Sequence, residues 1–84
     1  MKLKKSALCE LPIGKKAVIC SLPENDELRL ALMRLGLCKQ TEIQRVLSSP
    51  FRDPCAYLCR GTIISIRNSD SRNITVISEE DNDH

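Results

Sequence analysis

Five cysteines are the residues of this 84-residue chain with the clearest capacity for chemistry, and they stand at positions 9, 20, 38, 55 and 59. Cys55 and Cys59 are the closest pair. In a strand their Cα atoms would be about 13 Å apart, at roughly 3.3 Å per residue. Two thiolates at that separation cannot both bind one ion at about 2.3 Å. We therefore expect most of these cysteines to pack as small apolar side chains, with Cys55 and Cys59 as metal ligands only where a bend brings them together.

Residue types that perform catalysis are scarce in this sequence. The only histidine is His84, at a position where we expect no rigid surroundings. The three glycines stand 22 and 25 residues apart, so the sequence has no glycine-rich phosphate loop. The carboxylates of residues 1–78 fall at predicted strand ends, helix caps and loops, where acidic residues are ordinarily solvated. We therefore expect a protein that is not an enzyme.

Composition and charge favour one small domain. The chain is 42% hydrophobic and contains only two aromatic residues, Phe51 and Tyr57, so the core must be aliphatic. Four acidic residues in 79–84 leave 13 basic and 7 acidic residues in 1–78. We predict a single domain over 1–78 and an acidic, disordered tail over 79–84. The basic residues form no cluster beyond residues 2–5 and lack stacking aromatics, which argues against a nucleic-acid partner.

Cysteine usage and hydropathy favour a cytoplasmic location. An odd number of cysteines does not suit a fully paired secreted framework. The charged residues at the start are followed by Glu10 and Pro12 before an apolar signal segment can form. No apolar run approaches the 18 residues that span a bilayer, so we expect no direct membrane insertion. The thiols are expected to be reduced.

One helix is strongly indicated in the first half of the chain. Asn25 or Asp26 can cap its N-terminus, and Gly36 can end it. Four apolar residues share one predicted face: Leu28, Ala31, Leu32 and Leu35. Leu30 and Met33 fall outside that face. They are either tolerated exposed residues or, with Arg29 and Arg34 beside them, a patch for a partner protein.

The remaining segments read as short strands. Branched and alternating apolar residues predict strands over residues 17–22, 42–47, 55–59, 62–67 and 74–78. Arg60-Gly61 has the spacing of a tight hairpin, and two prolines make residues 48–54 a loop. The fold class expected is mainly β, a small SH3-like barrel of about five strands with one α-helix between strands 1 and 2.

An ordered series of short motifs resembles the FeoA family of ferrous iron transport proteins. The series comprises Leu11-Pro12-Ile13-Gly14 with Val18, Leu28-Arg29 through Leu35-Gly36-Leu37, the loop of residues 50–54, Arg60-Gly61 followed by Ile64 and Ile66-Arg67, and Ile74 with Val76. Lys39-Gln40 replaces the usual Pro-Gly turn, and Arg52 replaces the loop glycine. The cysteines are not part of the family pattern.

The resemblance implies a cytosolic adaptor of bacterial ferrous iron uptake. Its expected partner is the cytosolic part of a GTPase-linked ferrous iron permease, and it requires no cofactor. The residues expected to contact that partner are Arg29, Leu30, Met33, Arg34, Phe51, Arg52, Asp53 and Pro54. The alternative is a small carrier or sensor that binds a transition metal, Fe²⁺ or Zn²⁺, through cysteine thiolates, with Cys55 and Cys59 as the candidates.

Overall fold

The computed structural model describes residues 2–48 and 53–79. The strands are β1 (Leu3–Ala7), β2 (Lys16–Ser21), β3 (Glu42–Ser48), β4 (Cys55–Cys59), β5 (Thr62–Ile66) and β6 (Thr75–Glu79). The helices are α1 (Asp26–Arg34), the four-residue α2 (Asn68–Ser71) and a 3₁₀ turn at Leu8–Glu10. The mainly β fold class, with its principal helix between two strands, is thereby confirmed.

All six strands form one antiparallel sheet in the order β1-β6-β2-β3-β4-β5. Register shifts interrupt β2 after Ile19 and β3 after Arg45, and such bulges bend a strand and increase its twist. The two edge strands differ in character. β1 carries Lys4 and Lys5, whereas β5 reads Thr-Ile-Ile-Ser-Ile and has no charged residue.

The core is a single cluster on one face of the sheet, and it is mainly aliphatic but, contrary to expectation, also contains the aromatic Tyr57. It takes side chains from five of the strands and from the segments that connect them. Tyr57 is its largest fully buried member. Ile43, Ile64 and Val76 contribute from three other strands. Burial of these residues from so many strands around one cluster requires the sheet to curl on itself, which is how a small β domain encloses a core.

α1 has the start that the sequence predicts. Asn25 Oδ1 accepts a hydrogen bond from the Leu28 amide at 3.0 Å, which satisfies one of the helix's unpaired N-terminal donors. Gly36, with φ of 99°, follows the last turn, and the Leu37 amide donates to the Leu32 carbonyl at 3.0 Å. Leu32 is the only buried residue of the helix.

The prediction that four apolar residues of α1 share one core-facing side is partly wrong. Leu32 is buried and Leu28 packs against the core, but Ala31 is exposed and Leu35 is 51% exposed. Leu35 is the C-cap residue, so it lies beyond the last helical turn and does not continue the face. The core contact of α1 is consequently narrower than the four-residue pattern suggests.

Residues 2–48 and 53–79 contain six strands, where about five were expected. The additional strand is β1, which the sequence hides because lysines dominate it and apolar alternation is missing. Lysines are common on edge strands, where they discourage pairing with other chains. The polar segment 68–72, between the predicted strands 62–67 and 74–78, contains the one-turn helix α2.

Candidate interaction surface

The exposed side of α1 presents two large apolar side chains. Leu30 is 51% exposed and Met33 is 44% exposed. Residues three apart on a helix are surface neighbours, so the two side chains lie on the same stretch of α1. We call Leu30, Met33 and the adjacent Arg34 the α1 patch. Its position is fixed by Leu32, which packs the opposite side of the helix into the core.

Arg29 is held by the segment that precedes its own helix. Its Nη1 donates to the carbonyl oxygens of Pro23 at 3.2 Å and Glu24 at 3.1 Å, and its Nη2 pairs with Asp26. These bonds secure the entry to α1. Arg29 therefore has an intramolecular role, whereas Arg34 is exposed at the last turn of the helix.

The second part of the predicted surface, the loop of residues 51–54, comes just before β4. Asp53 and Pro54 are exposed, and Asp53 Oδ1 accepts a hydrogen bond from the Asn68 amide at 2.9 Å. Phe51 and Arg52 lie outside the described residues. Arg60 follows β4, and its side chain lies next to Gly36 after α1, where a Cβ on residue 36 would be 3.5 Å from Arg60 Cδ. Asp53 precedes β4 and Arg60 follows it, so the two lie at opposite ends of this strand.

Cys55 and Cys59 both point into the core, and each is 1% exposed. Tyr57 lies between them on the same face of β4. Cys55 Sγ accepts a hydrogen bond from Arg45 Nη2 at 3.1 Å, and Cys59 Sγ donates to the Gly36 carbonyl at 3.7 Å. The expectation that cysteines pack as small core residues holds for this pair. A metal would have to enter the core to reach them.

Burial governs the titration of the groups around this pair. Desolvation raises the pKa of the Cys59 thiol, and this outweighs the favourable charge of Arg60. Desolvation also raises the pKa of the Tyr57 hydroxyl. Ser71 lies beside that hydroxyl and lowers its pKa, although the two side chains do not form a well-aligned hydrogen bond. A thiol kept protonated is a poor metal ligand.

The described part of the chain contains no group of three or more His, Cys, Asp or Glu side chains placed to hold a metal ion. Within those same residues, no helix is both long and apolar enough to cross a membrane.

Arg45 is a half-buried polar residue whose structural role was not predicted from the sequence. Its Nη1 donates to the Leu11 carbonyl at 2.8 Å and contacts the Cys9 carbonyl at 3.4 Å. These bonds tie β3 to the 3₁₀ turn at the start of the chain. The sequence does contain a signal for this position. Arg45 stands two residues after the buried Ile43 on the same strand, so the two side chains lie on the same face of the sheet.

A second surface was also missed, on the outer face of the sheet. A cleft of about 690 Å³ lies where β1, β6 and β2 meet, and its lining includes Leu3, Val18 and Ile77. The signal was again in the sequence, because Val18 beside Ile19 makes β2 apolar on both faces.

Comparison with known proteins identifies the architecture and the family pattern. The model of the FeoA domain matches residues 7–78. The FeoA-like protein from Clostridium acetobutylicum superimposes with a TM-score of 0.84 at 28% identity, over 100% of this chain and 96% of that one. The FeoA protein from Chlorobium tepidum gives 0.81 at 29% identity, over 86% of this chain and 69% of that one. Among curated proteins, none matches the sequence.

A third solved structure carries functional information about its own protein. FeoA from Stenotrophomonas maltophilia, in complex with zinc, has a TM-score of 0.72 at 29% identity, over 82% of this chain and 86% of that one. It is described as a procaryotic SH3 domain protein with a suggested role as a bacterial ferrous iron transport activating factor. The SH3-like class expected for the present chain is thereby confirmed.

Proposed function

The chain belongs to the FeoA domain family, and from that membership we propose that it is a cytoplasmic accessory protein of ferrous iron uptake. In this role it binds the cytosolic GTPase-bearing part of a ferrous iron permease and performs no chemistry itself. The observation that carries the proposal is the α1 patch. Leu30 and Met33 are about half exposed on a helix whose opposite side is anchored in the core.

Exposed apolar side chains of this size are suited to a protein interface. Leucine and methionine bury substantial apolar area on association, at roughly 25 cal/mol per Å². A basic residue at the edge adds orientation and a faster encounter with an acidic partner. Arg34 supplies that charge at the last turn of α1. Methionine also adapts its shape to irregular partner surfaces.

A metal-carrier function has less support. Cys55 and Cys59 are buried, the pKa of Cys59 is raised, and Cys55 already accepts a hydrogen bond from Arg45. Zinc binding is a property of the Stenotrophomonas maltophilia protein. We therefore base the proposal on the α1 patch and not on the thiols.

The test is a titration of the full chain with the isolated GTPase domain of the permease, followed by calorimetry. Leu30→Glu combined with Met33→Glu should weaken binding at least tenfold, because both changes place a charge in the apolar contact. Ile63→Glu is the matched control, since Ile63 is 58% exposed on β5. Intact binding by the double variant, or equal loss with the control, would contradict the proposal.

A further inference from the structure

The outer-face cleft has an apolar lining that the domain itself does not cover. Leu3 is 67% exposed and Val18 is 42% exposed. Val18 stands opposite Ile77 in the β2–β6 pairing, and Leu3 opposite Glu79 in the β1–β6 pairing. The three apolar side chains therefore share one face across three adjacent strands. The volume of about 690 Å³ is within the range of about 300–1,000 Å³ for ligand sites.

The charges beside the cleft are predominantly basic because of β1. Lysines and acids balance in the lining itself, which contains Lys15 and Lys16 with Glu42 and Glu79. β1 adds Lys4 and Lys5, with Lys2 just before the strand. Lys5 stands opposite Ile77, on the same face as the cleft. A ligand over this region would meet more positive than negative charge.

β1 is also an edge strand. It pairs with β6 on one side, and no strand of the described residues pairs with its other side. The backbone N–H and C=O groups on that side are a template for a further strand. The cleft lies next to this unpaired edge, because Leu3 belongs to β1 and also lines the cleft.

We propose that β1 and the adjoining cleft bind an extended, acidic segment of a partner protein, which adds to the sheet as a seventh strand. Backbone hydrogen bonds to β1 provide the pairing, carboxylates of the segment face the lysines of β1, and an apolar side chain packs against Leu3 at the margin of the cleft. This surface is separate from the α1 patch, and the proposal does not depend on the permease as a partner.

A second copy of the chain is a poor occupant of the same edge. Antiparallel pairing of two fully overlapped β1 strands places Lys5 of one copy opposite Lys5 of the other, and pairing centred on Lys4 places the two Lys4 residues opposite each other. Like charges across a strand pair are destabilising. An acidic strand reverses the sign of each of these contacts, which is why we assign the edge to a partner with carboxylates.

The experiment is a nuclear magnetic resonance titration of the ¹⁵N-labelled full chain with the peptide acetyl-Gly-Glu-Val-Glu-Val-Glu-Gly-amide. The peptide in which lysine replaces each glutamate is the control. The acidic peptide should shift the amides of β1 and of the cleft and slow hydrogen exchange of alternate β1 amides. Raising the salt from about 50 to 300 mM should weaken binding, since screening shortens the range of the attraction.

Matched charge variants distinguish binding at β1 from nonspecific electrostatic attraction between the peptide and the protein. Lys4→Glu combined with Lys5→Glu should weaken binding at least tenfold, whereas Lys39→Glu, at an exposed lysine outside the cleft, should leave it within twofold. Equal binding of the lysine peptide, shifts that map away from β1, or no shift at about 2 mM peptide would overturn the proposal. Protection of the β1 edge by dimers of the chain alone would overturn it as well.

Discussion

Leu32→Ala should destabilise the domain more than any other alanine substitution in α1. Leu32 is 4% exposed and is the only buried residue of the helix. The substitution removes three carbon atoms from the core, worth about 2.4 kcal/mol at roughly 0.8 kcal/mol per buried methylene. The cavity that remains raises the cost to about 3 kcal/mol, within the usual range of about 2–5 kcal/mol for leucine to alanine in a core.

That loss is large for a chain of this size. A domain of 84 residues has a free energy of unfolding of about 4–13 kcal/mol. A loss of about 3 kcal/mol corresponds to a fall in melting temperature of roughly 12–24 °C. The chain has no tryptophan, so urea unfolding is best followed by circular dichroism at the helix and sheet bands.

Two other leucines of the same helix region provide the controls. Leu30 and Leu35 are each 51% exposed, so Leu30→Ala and Leu35→Ala should change the free energy of unfolding by less than about 0.5 kcal/mol. Leu35 is the sharper comparison, because periodicity alone places it in the core with Leu32. If Leu35→Ala costs as much as Leu32→Ala, or if Leu32→Ala costs less than about 1 kcal/mol, the anchoring of α1 through Leu32 is refuted.

Three further predictions concern the cap, the thiols and the response to alkali. Asn25→Ala should cost about 1 kcal/mol in urea unfolding because it removes the cap of α1, whereas Asn25→Ser should retain most of the stability. Under native conditions a thiol reagent should label the three partly exposed cysteines and spare Cys55 and Cys59 until urea is added; prompt labelling of all five would contradict their burial. The free energy of unfolding should be level at neutral pH and fall as the pH rises above about 9, because burial raises the pKa of both Cys59 and Tyr57 in the folded state and the unfolded chain releases these protons first. Tyr57→Phe should remove the part of that fall above about pH 10, and an unchanged slope would argue against burial as its cause.

Local signals in the sequence predicted most of the fold. The polar cap before α1, the glycine after it and the Arg60-Gly61 turn each determine backbone conformation within a few residues. Arg60 and Gly61 both have positive φ, at 54° and 79°, as a tight hairpin of this kind requires. β2 to β6 are therefore close to their predicted positions.

Features set by distant contacts were not predictable in this way. β1 depends on pairing with β6, about 70 residues away along the chain, and its own residues carry little strand signal. It also precedes most of the segment that matches the family model. Leu35 and Leu32 have the same side chain, and only the end of the helix decides that one is exposed and the other buried.

The candidate site was predictable to a smaller extent. The exposure of Leu30 and Met33 follows from helical periodicity, and the structure agrees. Their partner remains a prediction, since an exposed apolar side chain does not identify what covers it. The outer-face cleft needed the strand register, because Leu3, Val18 and Ile77 are distributed over three strands that are remote in sequence.

The unequal edges of the sheet limit how copies of this protein can associate in concentrated solution. β5 has an uncharged edge with an exposed Ile63, and nothing in its sequence opposes pairing with an identical strand. β1, at the other edge, is protected by its lysines. Pairing through β5 uses the one permissive edge of each copy, so assembly would end at two molecules and would not propagate into a fibre. Ser65→Lys, which charges the permissive edge, is therefore the substitution to choose where high concentrations must be kept monomeric.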